Sequence, residues 1–235
     1  MQGMGNFSSF LFSGDKMLDK SIPYKNIFME IFPDKINETC EPPLPDGFRF
    51  RFFADGDESH WARIESAVLE FDSAEKAGSY FTQNYLPFAD LLKKRCVFIV
   101  NAQDIPVATA TAWFANSIAG YQPSLHWVAV HPDYQGAGLG KAIIQKTLKI
   151  FSEIDRGKSV MLHTQTWSHK AVKIYSDLGF VMLPDSDAAI RNTDKNKPAS
   201  SNDFQEALQI LREKLDEKTY RKLKNDFREK HNNQN

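Results

Sequence analysis

Leu125-His126-Trp127-Val128-Ala129-Val130-His131-Pro132-Asp133-Tyr134-Gln135-Gly136-Ala137-Gly138-Leu139-Gly140-Lys141 joins a strand, a tight glycine-bearing turn and the start of a helix. Residues 125–130 are almost wholly apolar and β-prone, the pattern of a strand covered on both faces. Pro132 ends the pairing, because its ring nitrogen has no hydrogen to donate. Gly136, Gly138 and Gly140 then alternate, and their missing side chains let a ligand rest directly against main-chain N–H groups. From Leu139 the apolar residues Leu139, Ile143, Ile144, Leu148, Phe151 and Ile154 recur three and four apart, which predicts a helix whose first N–H groups aim back at the turn. Such a helix start favours phosphate by hydrogen bonding and by its dipole.

Spacing separates the phosphate-binding families. A Walker loop needs Ser or Thr after Gly-Lys, and here Ala142 follows Lys141; a dinucleotide fingerprint needs Gly-x-Gly-x-x-Gly, and this turn runs Gly136-x-Gly138-x-Gly140. Gln135-Gly136-Ala137-Gly138-Leu139-Gly140, behind Val128-Ala129-Val130 and Pro132, instead resembles the acetyl-CoA loop of the GNAT N-acetyltransferase superfamily. A second stretch, Ser168-His169-Lys170-Ala171-Val172-Lys173-Ile174-Tyr175-Ser176-Asp177-Leu178-Gly179-Phe180, resembles the superfamily's other signature, a short helix carrying a tyrosine and closed by Gly-Phe. The resemblance implies an α/β fold, a twisted mixed sheet with helices on both faces, and transfer of an acetyl group from acetyl-CoA to a primary amine.

The rest of the chain fits around these two stretches. Residues 1–47 read as an N-terminal arm packing on the core, with 25–32 as an edge strand and a proline cluster behind it. A domain over 48–183 follows. Phe48-Arg49-Phe50-Arg51-Phe52 alternates as a half-buried strand, and Asp55 with Glu58 suggests a capping box ahead of Trp61, Ile64, Val68 and Phe71. A second helix over 74–86 stops near Pro87. Residues 96–100 and 107–114 form a hairpin, 116–123 a loop, 159–163 a strand, and 180–183 a last strand. Residues 184–201 have the composition of a flexible connector. Over 202–235 Phe204, Leu208, Leu211, Leu215, Tyr220, Leu223 and Phe227 recur at helical spacing, so an amphipathic helical tail is predicted, docking on the domain or on a second subunit in a homodimer.

A net charge of −1 gives no global field for nucleic acid or an anionic membrane, and neither is an expected partner. Two cysteines, Cys40 and Cys96, are too few for a disulfide scaffold or a cysteine-rich zinc site, which points to a reducing cytoplasm. The apolar residues 7–12 are too short a run for a signal core or a spanning helix. The six histidines lack metal-ligand spacing, so no metal is expected.

Acetyl transfer to an amine needs a grip on the cosubstrate, a neutral nucleophile, donors for the thioester oxygen and a proton for the departing thiolate. The resemblance implies that Gln135 and the main chain of Gly136, Ala137, Gly138, Leu139, Gly140 and Lys141 hold the pyrophosphate. It further implies that the main chain of Val128, Ala129 and Val130 pairs with the pantetheine arm as an added strand would, with an N–H near Val128 facing the thioester oxygen. Tyr175, Ala171 and Ser168 share one helix face, and Tyr175 resembles the superfamily's general acid; Ser168 stands where asparagine is common. His126 alternates with Ser124, Val128 and Val130, which predicts a base on the pantetheine side, acting directly or through water. His131 reads as a turn residue and His163 as a second choice of base. Trp113, Phe114, Tyr121 and Trp127 can line a pocket for a small-molecule amine acceptor or serve as core. Two other readings remain: a protein or peptide N-acetyltransferase, and a non-catalytic acyl-CoA-binding regulator.

Overall fold

The computed structural model describes residues 18–117, 120–184 and 201–232. At its centre is one seven-stranded sheet in the order β2-β3-β4-β5-β6-β1-β7. The strands are β1 (Asn26–Ile31), β2 (Arg49–Phe52), β3 (Cys96–Val100), β4 (Pro106–Ser117), β5 (Gly120–Val130), β6 (Val160–Gln165) and β7 (Val181–Met182). All neighbours run antiparallel except β5 and β6, which makes the sheet mixed. The helices are α1 (Pro33–Asn37), α2 (Glu58–Ala67), α3 (Ala74–Asn84), α4 (Ala89–Arg95), α5 (Leu139–Ile154), α6 (His169–Asp177), α7 (Phe204–Lys214) and α8 (Glu217–Asn232). No described helix is long and apolar enough to cross a membrane.

Every residue of β3 is buried, and its side chains alternate between two cores. Val97 and Ile99 meet Leu139, Ile143, Leu148 and Phe151 of α5, each contributing about 1.5–3 kcal/mol on burial. Phe98 and Val100 meet Trp61, Phe81 and Leu92 from α2, α3 and α4. Ile154 was expected on the apolar stripe of α5 but is 45 % exposed, because the helix stops there.

Several local expectations are corrected. The strand placed at the edge, β1, is interior: it pairs with β6 along its whole length and with β7 on its other side. Its residues Ile27, Phe28, Met29 and Ile31 are fully buried, so both faces and both edges are covered. The capping box does not form; Asp57 precedes α2, and its carboxylate instead accepts two bonds from Arg51 at 2.8 Å and the Ala54 N–H at 2.7 Å. α3 stops at Asn84, near Pro87 as expected, but Pro87 itself does not end helical structure. It sits in a single 3-10 turn, and α4 follows, pinned by buried Arg95, which pairs with Asp155 at 2.8 Å and donates to the Ala112 carbonyl. The loop expected over 116–123 is largely strand: β4 and β5 stay paired out to Ser117 opposite Gly120. Stacking of Phe114 on Tyr121 at 4.7 Å accompanies that extension.

The tail docks on the domain. Phe204, Ala207, Leu211 and Leu223 join the α5-side core, and Asp203 exchanges bonds with both main-chain groups of Asn26 at the start of β1. The run 7–12 and nearly all of the 184–201 connector lie outside the described residues.

Candidate active site

The sheet opens between its two parallel strands. β5 and β6 are paired only at Ser124–Met161 and Leu125–Leu162; past Leu125 the edge of β5 has no neighbouring strand, although β5 continues to Val130 and β6 to Gln165. On the other edge of β5 the register slips: Ala129 faces Thr109 and His126 faces Thr111, which leaves Trp127 and Val128 opposite the single residue Ala110. Trp127 takes φ +52°, a left-handed value that an aromatic residue holds only when its surroundings enforce it. Here Trp61, Phe71 and Tyr80 pack on its ring, and its Nε1–H donates to the Tyr85 hydroxyl at 2.8 Å.

That bulge overturns the alternation expected along the strand. His126 and Trp127 both turn toward the α2–α4 side, Val128 and Val130 belong to the α5-side core, and Ala129 to the opposite one. His126 is therefore on the other face from Val128 and Val130.

A cavity of about 760 Å³ fills the opening. Its walls include Val128 and His126 from β5, Ser168, Ala171 and Tyr175 from the 3-10 turn at Thr166–Ser168 and α6, and His163 to Gln165 from β6. The expected shared face of Ser168, Ala171 and Tyr175 is thus turned into the cavity. Trp113, Phe114, Tyr121 and Trp127 line it as well. The glycine turn does not; it lies open on the surface at the end of β5.

The turn is built for an anion. After a 3-10 turn at Pro132–Tyr134, Gly136 (φ +83°) and Gly138 (φ +79°) adopt left-handed backbone, and a Cβ at either would meet nothing within 4 Å. Gly138 is the N-cap of α5, and no side chain caps the helix; its first internal bond runs from Ala142 N–H to Gly138 C=O. The N–H groups of Leu139, Gly140 and Lys141 are left for a ligand. Gly140 adjoins Val130 and Ile174, so the turn abuts both β5 and α6. A group with a pyrophosphate fits this open, side-chain-free cradle. Gln135 serves differently from expectation: its Nε2 donates to the Val130 carbonyl at 2.9 Å and ties the turn to the strand.

Tyr175 is 6 % exposed and rests edge-on against Phe180. Burial, then the charges of Glu70 and Glu65, raise its pKa, so it keeps its proton at neutral pH. His126 Nδ1 lies 2.7 Å from the Tyr85 hydroxyl, and burial with the nearby His163 lowers the imidazole to about 4. It is neutral at pH 7. His163 stacks on Phe28 and holds Asn26 through Nε2 at 2.9 Å, and His131 accepts the Asp133 N–H within its own turn.

Sequence reading missed Glu65, Glu70, Tyr80 and Tyr85, all of which line the cavity. Only Glu65 left a signal. Trp61, Ile64 and Val68 mark the buried stripe of α2, and position 65 falls on that stripe, where a carboxylate is out of place.

A model described as the acetyltransferase (GNAT) family matches residues 40–180, which excludes β1 and the tail although both complete the sheet and its cover. No curated protein matches the sequence. Among solved structures, a GCN5-related N-acetyltransferase from Sphaerobacter thermophilus superimposes with a TM-score of 0.53 at 21 % identity, over 69 % of this chain and 50 % of that one. An acetyltransferase of the GNAT family from Colwellia psychrerythraea gives 0.49 at 12 % identity, over 68 % and 54 %. The chain thus spans about half the length of these structures, and the likeness is one of fold.

Proposed function

Given that the chain belongs to the acetyltransferase (GNAT) family, an acyl-transfer family, we propose that it moves an acetyl group from acetyl-CoA to the primary amine of a small molecule by direct attack. The observation that carries this reading is the gap between β5 and β6: it juxtaposes an unpaired strand edge, an uncapped helix start and a buried tyrosine. Acetyl-CoA would supply the activated acyl group.

Each residue's part follows from its surroundings. The N–H groups from Gly136 to Lys141 hold the pyrophosphate, with Gln135 keeping the turn in place. The edge of β5 at Val128, Ala129 and Val130, which has no neighbouring strand, binds the pantetheine arm, and an N–H near Val128 receives the thioester oxygen. Tyr175, protonated at neutral pH and lining the cavity, gives its proton to the departing thiolate. Ser168 offers one hydroxyl at the mouth of α6.

His126 takes the proton of the attacking amine, directly or through water. For Nε2 to accept, Nδ1 must carry the hydrogen and donate it to Tyr85, whose oxygen also accepts from Trp127. Cys40 and Cys96 are both free, in keeping with a reducing cytoplasm. The test is release of CoA thiol in the presence of primary amines by the wild-type chain and by Tyr175→Phe. Cosubstrate binding without thiol release across a broad amine panel would favour an acyl-CoA-binding regulator.

A further inference from the structure

Glu65 is 1 % exposed and lines the cavity, and its Oε1 has no hydrogen-bond partner among the described residues. Burying a carboxylate without a partner is unfavourable, so a chain that keeps one beside an open cavity leaves a position for a cation. Glu70 hangs from the same turn: its N–H donates to the Glu65 carbonyl at 3.2 Å, Leu69 adopts φ +70° just before it, and its carboxylate accepts Gln165 Nε2 at 3.4 Å. Burial and the charge of Glu70 push the Glu65 carboxyl well above its ordinary range, a state that a neighbouring ammonium relieves.

The remaining walls sharpen the selection. Among the described residues no lysine or arginine lines the cavity, and Glu65 and Glu70 are the only acidic side chains in its lining. Lys20 lies close enough to offset part of the shift at Glu70, but its Nζ is bonded to the Leu69 carbonyl at 3.0 Å. Tyr80, Tyr85, Trp113 and Trp127 give the cavity aromatic walls, which attract a cation and an apolar body alike. A carboxylate or phosphate on the acceptor would meet like charge and no counter-ion.

We propose that Glu65, with Glu70 at the cavity rim, is the counter-ion for the acceptor's ammonium group, so that the site selects primary amines whose only charge is that ammonium over amines that also carry an acid. This selectivity rests on the acyl-transfer reading of the same cavity, but its test does not depend on turnover. The full chain, with and without CoA, is titrated calorimetrically with phenethylamine and with phenylalanine, the same skeleton lacking and bearing a carboxylate. Phenethylamine should bind at least about a hundredfold more tightly, and Glu65→Gln should weaken it by about thirtyfold or more. Equal binding of the two amines, binding of neither, or unchanged phenethylamine affinity in a folded Glu65→Gln protein overturns the proposal. Should that variant fail to fold, the comparison of the two amines on the wild-type chain decides alone. Thiol release from acetyl-CoA is followed in parallel. Selective binding without release keeps the counter-ion and removes the transfer reading; release with both amines alike does the reverse.

Discussion

Replacing Gly138 by alanine separates the turn's role in binding from its role in folding. Gly138 has φ +79° and open space where a Cβ would stand, so the folded protein bears only backbone strain. That strain is about 1–2 kcal/mol for an L residue in the left-handed region, and in a chain of this length it lowers Tm by ~2–8 °C. Binding should suffer more. A methyl group on the ligand side of the cradle holds the phosphates away from the helix start, and losing one charge-assisted hydrogen bond, worth about 1.5–3 kcal/mol, weakens CoA binding roughly 10- to 150-fold. Gly140→Ala is the control: its Cβ would sit 3.7 Å from Ile174 Cδ1 and Val130 Cγ2, in ordinary contact and inside α5. It should melt at or above the wild-type temperature, since alanine suits a helix better than glycine by up to about 1 kcal/mol, and should keep its affinity for CoA. Thermal melts and calorimetry with CoA on both variants measure these effects. A folded Gly138→Ala protein that binds CoA as the wild type does would refute the anion cradle.

Three further outcomes follow from the same geometry. Tyr175→Phe should lower kcat by about a hundredfold or more with little change in CoA affinity; steady-state kinetics beside calorimetry check it, and full retained activity removes the acid role. His126 titrates at about 4 in the fold against 6.5 for the free group, so the unfolded chain binds its proton first. Its contribution is complete above pH 6.5 and is lost as pH falls toward 4, at a cost of up to about 3 kcal/mol; urea melts at several pH values should therefore show a steeper acid loss for the wild type than for His126→Gln. Leu211→Ala, at a fully buried position of α7, should destabilise the whole domain by about 2–5 kcal/mol; denaturant unfolding with a single unchanged transition would show that the tail is not part of the cooperative unit.

What was legible in the sequence was whatever depends on local pattern. The strand at 125–130, the glycine turn and the apolar stripe of α5 carry their periods in consecutive residues, and Tyr175 rides on a short helix whose shared face with Ser168 and Ala171 was evident and lines the cavity. What was hidden depends on partners far along the chain. The bulge at Trp127 is imposed by α2 and α3, and it put His126 and Val128 on opposite faces despite their even spacing. β1 looked like an edge because nothing local announces that β6 and β7 will flank it. Tyr85 reads as one more aromatic of the helix expected over 74–86 until its hydroxyl is seen between His126 and Trp127. Glu65 alone offered a local warning, a carboxylate on an apolar stripe.

Acyl transfer at the gap between β5 and β6 is tested most directly by mass spectrometry of the full chain incubated with acetyl-CoA and a panel of primary amines. Free CoA and one N-acetylated amine should appear in equal amounts, and neither should form without the protein. Acetyl-CoA that is left intact beside every amine, or hydrolysed with no acetylated amine formed, would contradict it.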